Sequence, residues 1–134
     1  MNDAQRIQDR VKTRLTRQRT LVQALLALRE QVRGSVFARP ARCGKPQCAC
    51  GRGQLHGPYY VFSSRTGGSG QFVYLDGRAV AKARALVEHA RLFGRGLREL
   101  QKLNRDVVRL LRKYQGAITR KSARELVARL AKKR

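Results

Sequence analysis

Three cysteines and a histidine fall within fourteen residues, in the string Cys43-Gly-Lys-Pro-Gln-Cys48-Ala-Cys50 followed by Gly51-Arg-Gly-Gln-Leu-His56. No other stretch of the chain restricts the fold so sharply. Zn²⁺ takes four tetrahedral sulfur and nitrogen ligands, and the short gaps, with Gly44, Pro46 and Gly51 as turn formers, let the backbone wrap one ion. The Cys48-Ala49-Cys50 spacing is tighter than the common two-residue gap, so this is not a standard finger pattern. Free thiols beside a chance histidine, or a redox pair at Cys48 and Cys50, are the competing readings. Three cysteines this close together suit a metal better than a secretory disulfide framework. The expected cofactor is therefore one structural Zn²⁺ on Cys43, Cys48, Cys50 and His56. Four protein ligands leave no open position for catalysis, and no neighbouring glutamate is available as a base.

The flanks of the string read as helices. From about Asp3 to Val32 there is neither proline nor glycine, and Ile7, Val11, Leu15, Leu21, Leu25, Leu28 and Val32 recur mostly at three- and four-residue steps. The spacing predicts an amphipathic helix over residues 1–34, ended by Gly34 and weakest where Arg14, Arg17, Gln18 and Arg19 interrupt the apolar stripe. Residues 35–77 differ. Ser35 to Arg39, Tyr59 to Phe62 and Gln71 to Leu75 have the β-branched and aromatic content of short strands, and Thr66-Gly67-Gly68-Ser69-Gly70 supplies a hairpin turn. Alternation puts Tyr60 and Phe62 on one face, with Tyr59 and Val61 on the other. Three such strands need a metal or flanking helices to anchor them.

Residues 78–116 carry Ala83, Leu86, Ala90, Phe93, Leu97, Leu100, Asn104, Val107, Leu111 and Tyr114 in alternating three- and four-residue steps, the seam of a coiled coil. Gly94 and Gly96 mark a bend or a close helix approach. Gly116 is expected to end this helix, and Ser122-Ala-Arg-Glu125 offers the capping box of a short basic helix within residues 117–134. The fold class is thus mainly α, with a small zinc-stabilised antiparallel β-meander between two long helices. Those helices are expected to pack through Leu21, Leu25, Leu28 and Val32 against Ala83, Leu86, Ala90 and Phe93. Beyond that overlap, Leu97 to Tyr114, with Asn104 as a register-fixing polar residue, is the expected surface for self-association or for a partner protein.

Charge narrows the function. The 134 residues hold 31 Lys+Arg against 8 Asp+Glu, a net +23, and residues 78–134 alone carry +14. Such an excess repels itself unless a polyanion neutralises it, which makes nucleic acid the leading partner. The cations expected to meet phosphate are Arg105, Arg109, Arg112, Lys113, Arg120, Lys121, Arg124, Arg129, Lys132, Lys133 and Arg134, with Tyr59 stacking on bases; for Tyr59, Tyr60, Phe62, Phe72 and Tyr74 the stronger reading is structural, since so small a meander needs its aromatics to cover the metal site and the helices. A solvated charged face is the bland alternative for the arginines, weakened by the few acids near them. His89 has no partner ligand at helical spacing and reads as solvated. Paired carboxylates, a nucleophile with its base, and a phosphate-cradling loop ahead of Lys-Ser/Thr are all missing from the sequence, so an enzyme with a small-molecule substrate is not expected. The longest apolar run, Ala24 to Leu28, is far below the roughly 20 residues of a membrane span. Arg29, Glu30 and Gln31 stand where a signal peptide would be cleaved. A cytoplasmic, nucleoid-associated location is the expectation.

The string Cys-Gly-Lys-Pro-x-Cys-x-Cys-x5-His-Gly-Pro-Tyr-Tyr, with a glycine-rich hairpin and a long helix after it, resembles a family of small bacterial proteins known as a domain of unknown function. Cys43, Gly44, Lys45, Pro46, Cys48, Cys50, His56, Gly57, Pro58, Tyr59 and Tyr60 carry the resemblance, which runs from about residue 34 into the early 100s. It implies zinc binding and, because members look like companions of mobile elements, a DNA-related role. It implies no activity. The basic tail from Thr119 onward lies beyond the shared pattern. The function expected from all of this is non-enzymatic, zinc-stabilised nucleic-acid binding, DNA favoured over RNA, as an accessory factor of a mobile element. A coiled-coil adaptor docking onto a recombinase or ribonucleoprotein is the alternative. An RNA chaperone or ribosome-associated protein is a third, and a peripheral membrane protein the poorest fit.

Overall fold

The computed structural model describes residues 1–66 and 70–134. In chain order it runs α1 (Asp3–Ala27), β1 (Ser35–Ala41), a 3₁₀ turn (Ala49–Arg52), β2 (His56–Ser64), β3 (Gln71–Leu75) and α2 (Gly77–Ala131). Two long helices thus precede and follow a three-stranded antiparallel sheet of order β1-β2-β3, as the sequence predicts. Residues 67–69, the centre of the expected hairpin turn, lie outside the described residues. The chain divides into two compact units, residues 28–94 and a helix pair made of residues 1–27 and 95–134.

In the unit of residues 28–94, register is set by Phe37 opposite Val61 and Val61 opposite Tyr74, so these three share one face. Val36, Phe62 and Val73 share the other, with Ala38, Tyr60 and Leu75 beside them. The second face packs inward, since the Arg84 guanidinium of α2 lies 5.2 Å from the Tyr60 ring centroid. Val61, Cys50, Val80 and Val87 are buried here. The Asp76 carboxylate caps α2, accepting from the backbone N–H of Arg78 at 3.0 Å and Ala79 at 2.8 Å.

The first helix is shorter than predicted. It stops at Ala27, and Leu28 to Gly34 are not helical. Leu28 and Val32 belong to this unit and are half-buried, and the Val32 N–H donates to the Leu86 carbonyl at 3.1 Å. Gly34 stands just before β1 instead of closing a helix; a Cβ there would stand 2.4 Å from the Ser63 carbonyl oxygen. His89 is not simply solvated, because its Nδ1 hydrogen-bonds the Glu30 carbonyl at 2.9 Å.

In the helix pair, α1 and the later part of α2 run antiparallel, tied by Arg17 to Glu99 at 2.5 Å, Arg14 to Asp106 at 2.8 Å, and Gln8 to the Tyr114 hydroxyl at 2.9 Å. The Asn2 side chain caps α1 by accepting from the Gln5 N–H at 2.8 Å. Facing residues on α1 are Ala4, Ile7, Val11, Arg14, Gln18, Leu21 and Leu25, at unbroken three- and four-residue steps, while Leu15 points out. On α2 they are Gly96, Leu100, Leu103, Val107, Leu110, Tyr114 and Ala117. Beyond Phe93 the predicted seam holds at Leu100, Val107 and Tyr114, but its alternate members are one position late: Leu97, Asn104 and Leu111 are exposed, and Gly96, Leu103 and Leu110 face α1 in their place, Leu110 being 1% exposed. Asn104 lies beside Leu15 and Val22 of α1 along a groove, not beyond the helix overlap. The predicted break at Gly116 is absent, and α2 continues unbroken to Ala131 with Ser122 inside it.

Candidate metal centre

Cys43 follows β1, Cys48 precedes the 3₁₀ turn that carries Cys50, and His56 opens β2. Local hydrogen bonds fold the loop back on itself. The N–H of Cys48 donates to the Lys45 carbonyl at 3.2 Å, that of Gly51 to Cys48 at 3.1 Å, and that of Gln54 to Ala49 at 3.3 Å. An irregularity between β1 and β2 then aims His56 at the loop: Arg39 pairs with Tyr59 but Ala41 with His56, so two steps on one strand match three on the other. Gly57, at φ +114°, makes this bend, and a Cβ there would lie 2.8 Å from the Tyr59 nitrogen.

The result is a compact donor set. The three Sγ atoms and one imidazole nitrogen all lie within 4.8 Å of one another. Cys43 Sγ is 3.5 Å from Cys50 Sγ, and Cys48 Sγ is 3.1 Å from His56 Nε2. Ligands about 2.3 Å from a tetrahedral ion stand about 3.7 Å apart, so donors this close together could share one metal ion. Cys50 is 2% exposed, and its thiol is pushed down to about 7, first by the Cys43 backbone N–H, which donates to its sulfur at 3.4 Å. Cys43 moves upward: the Lys45 backbone N–H lowers it, but the Cys50 hydrogen bond, desolvation and the neighbouring Cys48 together outweigh that. A buried sulfur poised to ionise among three other soft or borderline donors could hold a metal ion.

The model of one protein family matches residues 4–85, more than half of the chain and all four of these donors. The chain belongs to the DUF6788 family, a domain of unknown function. The family's span starts further upstream than the resemblance read from the cysteine string, taking in nearly all of α1, and ends sooner, early in α2. DUF6788 thus covers the candidate metal centre and the sheet but not residues 86–134, where most of the predicted nucleic-acid contacts lie. No curated protein and no solved structure gives a match.

The predicted phosphate-binding residues and Tyr59 belong to different compact units. Arg105, Arg109, Arg112, Lys113, Arg120, Lys121, Arg124 and Arg129 are exposed along α2, Lys132 to Arg134 follow it, and Tyr59 belongs to the other compact unit. Arg109 is paired with Asp106, and Lys121 with Glu125 at 4.0 Å. Asp106 also holds Arg14, and these guanidiniums, Arg14 first, keep its carboxyl below the usual aspartate range. Sequence reasoning overlooked Arg6 and Arg10. Both line a groove of the helix pair with Arg112, Lys113 and Arg120, and the positions of Ile7 and Val11 in the α1 heptad are the signal that would have placed them there. No helix among the described residues is long and apolar enough to cross a membrane.

Proposed function

We propose that the chain is a non-enzymatic nucleic-acid-binding protein, DNA favoured over RNA, whose sheet is held by a structural Zn²⁺ on Cys43, Cys48, Cys50 and His56, and that it serves a mobile element as an accessory factor. The observation carrying this reading is a groove in which five cations outnumber a single acid. Arg6, Arg10, Arg112, Lys113 and Arg120 line it beside one acid, Asp3, and none of the five has a carboxylate within 4.0 Å among the described residues. Unneutralised guanidiniums on facing helices repel, and phosphate oxygens relieve that repulsion with bidentate hydrogen bonds. Three thiolates and one imidazole are a common tetrahedral donor set for structural Zn²⁺. The test is fluorescence anisotropy with the zinc-loaded chain and a labelled DNA duplex at about 0.15 M salt: binding at or below micromolar concentration supports the reading, and replacing Arg6, Arg10, Arg112 and Arg120 with Gln weakens it. No binding to DNA or RNA refutes it.

A second reading, an adaptor for a larger nucleoprotein, is favoured by Leu97, Val108 and Leu111, which are 43%, 40% and 48% exposed on α2. Loss of partner capture in a Leu97→Ser, Leu111→Ser variant that still binds DNA would support it.

A further inference from the structure

The outer face of the sheet carries aromatic rings that its own compact unit leaves open. Strand pairing fixes the members of this face: Phe37 and Arg39 on β1, Tyr59 and Val61 on β2, Phe72 and Tyr74 on β3. Val61, at the centre, is 1% exposed, whereas Phe72 and Tyr74 are 64% and 61% exposed. The rings lean edge to face, Phe37 on Phe72 at 6.5 Å and Tyr59 on Tyr74 at 6.4 Å between centroids. Shielding one valine does not require four aromatic rings, and rings this exposed add little to folding. Cover for the inner face comes instead from within its unit, where Arg84 lies over Tyr60.

Charge selects the occupant. From Gln31 to Leu75 the sequence contains no Asp or Glu, yet it holds Arg33, Arg39, Arg42, Lys45, Arg52 and Arg65. None of these six has a carboxylate within 4.0 Å among the described residues. A second copy laid on this face would bring two acid-free surfaces together, and an acidic peptide would match the cations but not the flat rings. Unpaired bases match both, being planar, stackable and tethered to phosphates.

We propose that this face is a stacking platform for the unpaired nucleobases of single-stranded nucleic acid, with Phe72 and Tyr74 as its principal rings and Arg39, opposite Tyr59, as the phosphate contact at its edge. The proposal rests on the nucleic-acid reading and adds strandedness to it. Its test titrates the zinc-loaded full chain into a labelled oligothymidylate of about twelve nucleotides and into a duplex of equal length, beside a Phe72→Ala, Tyr74→Ala variant. Both side chains are exposed enough for truncation to leave the sheet folded, which zinc content and circular dichroism verify. The variant is expected to lose about ten-fold or more of its single-strand affinity, with the duplex affinity and the salt dependence unchanged. The same loss on oligouridylate alone supports the platform with RNA as its ligand. A variant that binds single strands like the parent overturns the platform, and the nucleic-acid reading survives if duplex binding persists. A parent chain that binds neither probe overturns both.

Discussion

At the residue scale, two side chains show how the helix pair is held. Gly96 leaves room for Leu25: a Cβ at that position would stand 2.4 Å from Leu25 Cδ2 and 3.1 Å from its Cγ. Alanine would gain about 1 kcal/mol of helix propensity, but Leu25 is buried and the overlap costs about 1–3 kcal/mol. Gly96→Ala should therefore lower the urea midpoint, and a midpoint at or above the parent's would contradict the contact. Asp106 stabilises through charge. Its carboxyl titrates below the usual aspartate range because of Arg14 and then Arg109, so the folded value lies under the unfolded one. The stabilisation is complete above the unfolded value of about 4 and disappears as pH falls through the folded value. Asp106→Asn should accordingly melt earlier than the parent at neutral pH, with the gap closing in acid. A constant gap across pH would rule that role out. The Asp106 pairs were hard to see in sequence, since Arg14 looked like an interruption of an apolar stripe.

At the scale of elements, the strands, their faces and the metal donors were legible because aromatic alternation and cysteine spacing are local signals. Helix ends and phase were not. Leu28 and Val32 continue the helical period beyond Ala27, although the chain there has left the helix, because a short apolar run satisfies either geometry. Gly116 punctuates the sequence, yet a single glycine costs a long helix only about 1 kcal/mol, and here it lines the basic groove. Beyond Phe93 either of two seams fits α2, and only packing against α1 selects Leu103 and Leu110 over Asn104 and Leu111. The metal should matter to the sheet far more than to the helices. Chelation, or Cys48→Ser, is expected to abolish the near-ultraviolet signal from the aromatic residues, all of which except Tyr114 lie in residues 28–94, while most of the helical signal at 222 nm remains. Loss of both together would show that the helices depend on the metal as well.

At the scale of the whole molecule, the excess charge is the property that the account must explain. Ion pairs compensate little of it, and from residue 118 onward every residue is exposed, so the end of α2 offers cations without a packing role. Removing residues 119–134 should leave the helix pair folded. The most direct test of the nucleic-acid reading is the salt dependence of DNA binding by the zinc-loaded full chain and by this truncated form. If about six phosphates are neutralised, the logarithm of affinity falls against the logarithm of salt with a slope of roughly −4 to −5, and truncation flattens it. A full-length slope near zero, or a truncated chain that keeps the whole slope, would contradict the account.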